Sequence, residues 1–409
     1  MNSVTKLPSA FIRLAWSNLA AQSAEQIGLA AAPIVAVLAL GAGEGATGAL
    51  QTAQTLPFLL MSIPAGVLAD RMSRAQLMAG AETLRVCSLL AMLTLLVFGG
   101  LTVPLLALLG FIGATGTVAY SVAAPALVPA LVPQDVLPVA NGRIELARTS
   151  AFAAGPALGG ALVGWTGGGP AFGVAAALSA CAVILLVGTV EPPRAQISPQ
   201  HPLRDLRDGV AFVLGHRLLR PIFVTQFIFN TALFVIQAVY VPYAVHALRL
   251  SPAGIGITLG ALGAGMVVGA LFAARVMRWL PLGTVIAIGP VAGFVAAVMM
   301  AVTIWLPSPL LAAASFFVLG AGPILWVVST TTLRQTVTPP ELLGRVSAIN
   351  SVAYGARPLG AAIGALVGGL FGAPICIVVA VIGFLAQAIV IFASPVPWLR
   401  QQPEPAASA

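Results

Sequence analysis

The chain has 409 residues, of which 59% are hydrophobic and only 7% are charged. A soluble domain carries about a quarter charged residues because its surface must be solvated, so a folded surface of this composition must face lipid. The net charge of +8 is scattered between apolar runs and not clustered with aromatic residues, which argues against nucleic-acid binding. The composition predicts an all-α membrane protein whose main surrounding partner is the lipid bilayer.

Runs without charges can be converted into membrane crossings, because a helix needs about 20 apolar residues to span the hydrocarbon core. Turn signals rich in Gly and Pro divide the longer runs in two. The first half of the chain then has six crossings: Leu14–Leu40, Gly45–Ala69, two within Val86–Gln134, and two within Thr149–Val190 with a lead-in from Leu137.

The second half follows a polar stretch and repeats this count. Its crossings are Pro221–Val245, Leu250–Ala274, two within Trp279–Leu333 and two within Val346–Leu399. The predicted organisation is a six-helix half (1–190), a cytoplasmic linker (191–220), a second six-helix half (221–400) and a disordered tail (401–409). In the linker, His201–Phe212 alternates charged and apolar residues at helical spacing. This pattern predicts a short amphipathic helix on the membrane surface, and a plain solvated linker is the alternative.

Basic residues give the orientation, because they are retained on the cytoplasmic side of a membrane. If both termini are cytoplasmic, the external loops contain a single basic residue, Arg249. The cytoplasmic segments then contain fourteen: Lys6, Arg13, Arg71, Arg74, Arg194, Arg204, Arg207, Arg217, Arg220, Arg275, Arg278, Arg334, Arg345 and Arg400. This asymmetry predicts that both termini lie in the cytoplasm.

The two halves resemble each other in sequence. Pro133 precedes crossing 5 and Pro339 precedes crossing 11, a separation of 339 − 133 = 206 residues. Pro156 and Pro358 lie inside these crossings, 358 − 156 = 202 residues apart. Two such repeats facing each other can enclose a polar path with a binding site near the middle of the membrane.

The loop after crossing 2 carries a recognisable motif. Gly66, Asp70, Arg71 and Arg74 match the pattern G-x-x-x-D-R-x-G-R-R of the major facilitator superfamily, with Ser73 in place of the usual glycine. The resemblance implies the major facilitator fold, with twelve transmembrane helices in two six-helix halves. It also implies a cytoplasmic gate, because an aspartate can pair with arginines or with a helix N-terminus. Ordinary positive-inside charge is the alternative interpretation.

A second motif lies in crossing 5. It resembles the G-x8-G-x3-G-P-x2-G-G pattern of antiporters in this superfamily, with Ala151 in place of the middle glycine. The matching residues are Gly142, Gly155, Pro156, Gly159 and Gly160. Small residues make a smooth packing face and Pro156 bends the helix at the interface between the halves. Packing alone would explain the glycines, whereas in the family this motif accompanies export.

The stretches Thr55–Arg85 and 124–141 resemble one branch of the superfamily, the enterobactin-exporter-like and macrolide-efflux-like bacterial transporters. This resemblance implies a monomeric proton antiporter of the bacterial inner membrane. Its partners would be protons and a small-molecule substrate, namely a siderophore or a hydrophobic drug exported from the cytoplasm. A lipid flippase, or an importer or facilitator of the same fold, is the alternative. Crossing 4 lacks the arginine that many proton-coupled drug antiporters have there.

A charge inside the bilayer is costly, so each one is a functional candidate. Glu25 lies near the middle of crossing 1 and is a candidate for proton coupling or for binding a cationic group of the substrate. A structural hydrogen bond or an outward-facing position is the alternative. Arg357 in crossing 11 has no partner on its own helix. An anionic substrate, Glu25 or a helix end would satisfy it.

Two i,i+3 pairs of opposite charge complete the predicted cytoplasmic gate. Glu82 and Arg85 lie in crossing 3, and Glu145 and Arg148 lie in crossing 5 with Arg143 nearby. Pairing within each helix is the simple explanation, and a network with the loop motif that breaks on opening is the alternative.

Polar residues in crossings 1 and 7 are candidates to line the cavity, since these helices do so in the family: Gln22, Gln26, Gln226, Asn230, Gln237 and Tyr240. The chain lacks a G-x-x-x-x-G-K-[ST] motif and has one lysine, Lys6, so we expect no ATP hydrolysis. Its three histidines are scattered, so we predict no catalytic site, no metal site and no cofactor.

Overall fold

The computed structural model describes residues 8–133, 136–189, 191, 202–339, 342, 346, 349, 353–401 and 403. Within these residues the chain is helical and contains no strand. The first seven helices are α1 (Ser9–Leu38), α2 (Glu44–Leu60), α3 (Ser62–Arg71), α4 (Arg74–Val97), α5 (Val103–Leu131), α6 (Leu137–Thr166) and α7 (Gly168–Leu186).

The second part of the chain contains seven further described α-helices. They are α8 (Pro202–Gly215), α9 (Leu219–His246), α10 (Pro252–Trp279), α11 (Leu282–Val302), α12 (Pro309–Val337), α13 (Ala356–Phe371) and α14 (Ala373–Phe392). Short 3-10 helices lie at Ala353–Gly355 and Val396–Trp398. The helix expected at His201–Phe212 is α8, although His201 itself lies outside the described residues. Most of the tail predicted to be disordered also lies outside them.

Nine of the described helices are long and apolar enough to cross a membrane by themselves. They are α1, α4, α5, α7, α9, α10, α11, α12 and α14. The others in the membrane-spanning series are the charged helix α6, the short helix α13 and the broken pair α2 and α3. Counting that pair as one crossing, the described chain has six crossings before α8 and six after it. The predicted all-α membrane fold is confirmed.

One crossing differs from its prediction. The stretch Gly45–Ala69 was expected to be a single helix, but it is interrupted at Met61 between α2 and α3. Pro64 follows three residues later, and a proline has no N–H to donate to the preceding turn of helix. At the break, the hydroxyl of Ser62 donates a hydrogen bond to the carbonyl of Phe58. Sequence analysis missed this break because the charge-free run is uninterrupted.

The predicted turns lie where the Gly and Pro signals indicated. Helices α6 and α7 meet at Gly167 (φ 80°), and α13 and α14 meet at Gly372 (φ 82°). Both glycines occupy the left-handed region, which other residues avoid because of their Cβ atom. Each turn therefore needs a single glycine to reverse the chain within one residue.

The chain divides into two compact units. Unit 1 consists of Met1–Ala195 with Arg249–Gly260, and unit 2 consists of Gln196–Leu248 with Ala261–Ala409. In unit 1, α1 packs against α6 and α7, and α4 packs against α5 and α7. In unit 2, α9 packs against α13 and α14, and α11 packs against α12.

Glycines permit the closest of these approaches. A Cβ atom on Gly116 of α5 would lie 2.4 Å from the carbonyl oxygen of Ala81 in α4. In unit 2, a Cβ on Gly360 of α13 would lie 2.1 Å from the carbonyl oxygen of Thr231 in α9. Small residues with this function are typical of helix packing in membranes, where backbone contact replaces the hydrophobic driving force.

Candidate functional site

A buried salt bridge lies on the inner face of α4. Glu82 and Arg85 are three residues apart, which puts both side chains on one face of the helix, and they are 0% and 5% exposed. Arg85 Nη1 donates hydrogen bonds of 2.7 and 3.0 Å to the two carboxylate oxygens of Glu82. Buried charges are tolerated when they are paired and hydrogen-bonded, and this pair meets both conditions.

Three neighbouring helices complete the contacts of the pair. Ser179 of α7 donates a 2.7 Å hydrogen bond to Glu82 Oε2. Thr117 Oγ1 of α5 accepts a 2.6 Å hydrogen bond from Arg85 Nη2. The backbone carbonyl of Ala21 in α1 accepts another, of 3.1 Å, from Nη1. The salt bridge therefore connects α4 to α1, α5 and α7.

Glu25 of α1 brings a second carboxylate to the same arginine. Its Oε2 lies 3.8 Å from Arg85 Nη2, which is within ion-pair range but beyond hydrogen-bonding distance. Its side chain is 14% exposed. Sequence analysis assigned Glu25 and the Glu82–Arg85 pair to different sites, and the structure brings them together. We call Glu25, Glu82, Arg85, Thr117 and Ser179 the charge cluster.

Sequence analysis missed the hydroxyl residues around these charges. Besides Thr117 and Ser179, Tyr120 and Ser17 are fully buried, with their hydroxyl oxygens 3.4 Å apart. Ser17 also donates a 3.2 Å hydrogen bond to the carbonyl of Ala182. One signal could have found Ser179, because it is the one hydroxyl residue in the sequence of α7. The others do not stand out among the polar residues of α1 and α5.

The loop motif is anchored by a residue that the sequence did not single out. The carboxylate of Glu191 accepts a 2.7 Å hydrogen bond from the backbone N–H of Arg74, the first residue of α4. It also lies 3.6 Å from the Arg74 guanidinium. That guanidinium donates to the backbone carbonyl of Ala126 in α5. An anion at a helix N-terminus is favourable. Glu191 therefore stabilises the start of α4 both through the backbone N–H of Arg74 and through the Arg74 guanidinium.

Two other residues of the loop motif, Arg71 and Gly66, have fewer described contacts. Arg71 is exposed at the end of α3. A Cβ atom on Gly66 would meet no described atom within 4 Å, so packing against the described residues gives no reason for this glycine. Asp70 belongs to α3, but its side chain lies outside the part of the chain that the structure describes.

The second charged pair lies apart from the charge cluster. Glu145 and Arg148 of α6 are hydrogen-bonded to each other, and their side chains are 55% and 36% exposed. The Arg148 guanidinium lies 5.6 Å from the centre of the Phe152 ring. Arg143 is exposed on the same helix. The same i,i+3 spacing therefore gives a buried pair on α4 and an exposed pair on α6.

The glycine motif of α6 packs against two different helices. A Cβ on Gly155 would lie 2.4 Å from Cβ of Gln26 in α1, and one on Gly159 would lie 2.9 Å from the Ile27 carbonyl oxygen. Gly160 faces the first turns of α10, which belong to unit 1, and a Cβ there would lie 2.4 Å from the carbonyl oxygen of Pro252. The other two motif residues, Pro156 and Gly142, do not make such close contacts through a missing Cβ atom. Pro156 is buried inside α6, and a Cβ atom on Gly142 would meet no described atom within 4 Å.

Arg357 lies in the first turn of α13 in unit 2. Its guanidinium lies 4.5 Å from the centre of the Tyr354 ring and 5.5 Å from that of Phe234. Its Nε donates a 3.4 Å hydrogen bond to Asn230 Oδ1 of α9, and Asn230 in turn donates to the backbone carbonyl of Gln226. Aromatic faces stabilise a cation by their quadrupole, so these contacts hold a charge within an apolar unit.

The remaining polar candidates differ in burial. In α1, Gln22 is half-buried, while Gln26 is buried and its Nε2 finds no hydrogen-bond partner among the described atoms. In α9, Gln237 is half-buried, and Tyr240 is buried with its ring edge-on to Phe316 at 4.6 Å. No group of three His, Cys, Asp or Glu side chains that could hold a metal occurs within the described residues.

Apolar crossings with charges buried among them define a multi-pass membrane protein. The family model of the Major Facilitator Superfamily matches residues 14–357. Since this match covers most of the chain, the protein belongs to the Major Facilitator Superfamily, as the loop motif indicated. It is therefore a transporter and not an enzyme.

Two relatives cover most of the chain. The uncharacterized MFS-type transporter y4rN of Sinorhizobium fredii is 29% identical over 392 residues, which cover 89% of this chain and 90% of the relative. The multidrug efflux pump Tap of Mycolicibacterium fortuitum is 26% identical over 326 residues, which cover 75% of this chain and 77% of the relative.

Solved structures show the same fold. A bacterial homologue of the iron transporter ferroportin, in its inward-facing state, has a TM-score of 0.75 at 16% identity and covers 94% of this chain and 98% of its own. The nucleoside transporter NupG has a TM-score of 0.73 at 14% identity, with 94% of this chain and 98% of its own covered. At these identities the likeness concerns the fold alone.

Proposed function

We propose that this protein exports an amphipathic organic solute from the bacterial cytoplasm in exchange for protons, with Glu25 as the coupling residue. The observation that carries the proposal is the unequal exposure of two carboxylates that face one arginine. Glu82 is 0% exposed and accepts hydrogen bonds from Arg85 and Ser179, whereas the Glu25 side chain is 14% exposed and lies 3.8 Å from the same guanidinium. A coupling carboxylate must be reached by the proton that it exchanges, so we propose Glu25 for this role.

Two observations support the direction of transport. The motif of α6 resembles that of antiporters, and its Gly155, Gly159 and Gly160 make close helix contacts. The relative Tap carries the name of a multidrug efflux pump. We therefore keep export of a siderophore or a hydrophobic drug as the proposed function. A lipid flippase, or an importer of the same fold, is the alternative.

The rest of the proposed arrangement follows from the sequence. We place the protein as a monomer in the bacterial inner membrane with both termini in the cytoplasm, because basic residues are concentrated in the segments on that side. The halves are 1–190 and 221–400, joined by the linker 191–220. On the cytoplasmic side, Arg74 and Glu191 belong to the gate, since their ion pair connects the start of α4 to the chain beyond α7.

Arg357 is proposed as the contact for an anionic or hydrogen-bond-accepting group of the solute. Its guanidinium lies beside the rings of Tyr354 and Phe234, and flat aromatic faces suit an amphipathic solute with aromatic groups. This role requires a partner that carries both chemistries, as many siderophores and drugs do.

The test is solute-induced proton release from energised everted membrane vesicles that contain the full-length protein. A panel of siderophores and antibiotics is applied to the wild type, to Glu25→Gln and to the control Glu44→Gln. Glu44 is a carboxylate in the first turn of α2, away from the charge cluster. We expect one class of compound to discharge the pH gradient in the wild type and in Glu44→Gln, and not in Glu25→Gln.

Two results would contradict this proposal. Discharge by Glu25→Gln at the wild-type rate would remove Glu25 from the coupling step. Failure of every compound with correctly inserted protein would reject the proton exporter, and movement of a fluorescent phospholipid across reconstituted vesicles would then establish the flippase.

A further inference from the structure

An apolar groove lies on the surface of unit 2. It has a volume of about 500 Å³ and is lined by α11, α12, α14 and the 3-10 helix Val396–Trp398. Among the described residues that line it, Thr284 has the one side chain that is not apolar. Val291, Val295 and Phe392 line the groove and are exposed, so it opens away from the protein interior. Because the chain spans a membrane, this exposed apolar surface faces lipid.

The length of the groove matches the depth of one leaflet of a bilayer. Its lining residues on α11 begin at Thr284, in the first turn of the helix, and end at Val295, 295 − 284 = 11 residues further along. This stretch is about 17 Å long, because an α-helix rises 1.5 Å per residue. The hydrocarbon core of a bilayer is about 30 Å thick, so one leaflet contributes about 15 Å. The groove can therefore hold an acyl chain over the whole depth of a leaflet.

The end of the groove at the start of α11 is held by close backbone contacts. The backbone N–H of Gly283 donates a 2.8 Å hydrogen bond to the carbonyl of Leu399. A Cβ atom on Gly283 would lie 2.3 Å from the carbonyl oxygen of Pro397. Val396 is fully buried in the core of unit 2. This end is therefore preformed, and a ligand can bind there without the cost of ordering the segment.

Two exposed arginines lie at the same end of the groove. Arg400 directly follows Leu399, and Arg278 lies in the last turn of α10, four residues before α11 begins. Ile288 lines the groove and belongs to the same apolar cluster as Met277, the neighbour of Arg278. The two stretches of sequence that surround the groove, 261–340 and 342–403, contain no acidic residue. This end of the groove is therefore positively charged.

Two tryptophans place this end at the level of the membrane–water interface. Trp398 lines the groove and is 78% exposed. Trp279 ends α10 and is also exposed, with the Arg275 guanidinium 4.9 Å from the centre of its ring. Tryptophan is enriched at both interfaces of a membrane, where its amphipathic ring lies at the level of the lipid headgroups. A headgroup above the groove would therefore lie at the level of the two arginines.

We propose that this groove binds an acyl chain of an anionic phospholipid, with Arg278 and Arg400 as the contacts for the headgroup. The apolar walls favour a hydrocarbon chain, and the length of the groove favours one that descends from the interface. The arginines favour a negatively charged headgroup. None of the described residues that line the groove is assigned to proton coupling or to the transported solute, so the inference is independent of the proposed function.

The test is native mass spectrometry of the full-length protein in detergent, titrated with dioleoyl phosphatidylglycerol or with dioleoyl phosphatidylethanolamine. An arginine near an anionic lipid contributes about fivefold in affinity, so the wild type should bind the first phosphatidylglycerol about 25-fold more tightly than the first phosphatidylethanolamine. Arg278→Gln combined with Arg400→Gln should abolish this preference. The control combines Arg217→Gln with Arg220→Gln, which removes the same charge from two exposed arginines outside the groove and should keep the preference.

A second pair of variants tests the apolar part of the groove. Val291→Trp should fill the groove and weaken the first binding step of both lipids, and since Val291 is 41% exposed, the larger side chain need not enter the core. Val302→Trp is the matched control, because Val302 ends the same helix, is 39% exposed and lies outside the groove. It should bind both lipids as the wild type does. Val295→Trp is the second filling variant, used if Val291→Trp lowers the Tm of the lipid-free protein.

Four results would overturn the inference. They are equal affinity of the wild type for the two lipids, a preference that survives without Arg278 and Arg400, a preference that is equally lost in the control, and wild-type lipid binding by the filling variants. Binding of an antibiotic at the groove in place of either lipid would also overturn it, since the groove would then be a solute site. Proton release by Glu25→Gln in vesicles tests the proposed function alone and leaves lipid binding unchanged.

Discussion

Replacing Arg85 by methionine should destabilise the protein far more than the same change at Arg148. Arg85→Met removes the guanidinium from a Glu82 carboxylate that is 0% exposed and leaves Ser179 as its one described donor. Breaking a buried ion pair by removing one partner costs about 3–5 kcal/mol, because the other charge stays buried.

The pair on α6 provides a control with the same chemistry and the same spacing. Glu145 and Arg148 are 55% and 36% exposed, and an exposed i,i+3 pair contributes about 0.2–0.5 kcal/mol. The double variant Glu82→Gln, Arg85→Met should recover most of the loss, since it removes both members of the fully buried pair and replacing a whole buried pair is often neutral.

The assay is thermal unfolding of the purified full-length protein in one detergent, followed by tryptophan fluorescence. The expected order of Tm is wild type and Arg148→Met highest, the double variant next, and Arg85→Met lowest. A Tm of Arg85→Met within one degree of that of Arg148→Met would refute the cost assigned to the unpaired Glu82 carboxylate. A double variant no more stable than Arg85→Met would refute it as well.

Three further predictions concern other parts of the fold. His216 Nδ1 accepts hydrogen bonds from the backbone N–H groups at the start of α9, and burial lowers the pKa of its imidazole below the usual value. The stabilising contribution of the neutral His216 imidazole is therefore complete above about pH 6.5 and is lost as the pH falls through the lowered pKa. His216→Asn keeps a hydrogen-bond acceptor but does not titrate, so it should flatten the acid side of a plot of Tm against pH. Gly116→Ala should cost about 1–3 kcal/mol by overpacking α4 against α5, whereas Gly80→Ala, where a Cβ meets no described atom within 4 Å, should be neutral or stabilising in the same unfolding assay. Glu191→Gln should lower Tm by weakening its contacts with Arg74, and the difference from wild type should shrink at high salt because screening weakens the interactions of charges near a surface.

Much of the fold could be predicted because a membrane allows the backbone few alternatives to a helix. A chain in lipid must satisfy its backbone within each crossing, so a charge-free run of sufficient length is a helix. The turns at Gly167 and Gly372 were readable for a similar reason, since a reversal of this kind needs a residue without a Cβ atom. The break at Met61 was not predicted, because Pro64 lies inside a run that shows no other interruption.

The sequence predicted individual residues of the candidate site, but it did not predict which of them lie together. Glu25, Glu82 and Arg85 stand out in the sequence because a charge within a crossing is rare. Two identical spacings, Glu82–Arg85 and Glu145–Arg148, gave no indication which pair is buried. Local spacing fixes the face of a helix on which a pair lies, and it carries no information on which neighbour covers that face.

The sequence by itself determined the membrane environment, the number of crossings, the family and the charges available for function. The tertiary structure alone decided that Glu25 of α1 meets Arg85 of α4, and that hydroxyls from α5 and α7 complete the cluster. The physical reason is that composition and periodicity are properties of single helices, whereas a buried ion pair depends on which helices pack together and at what height.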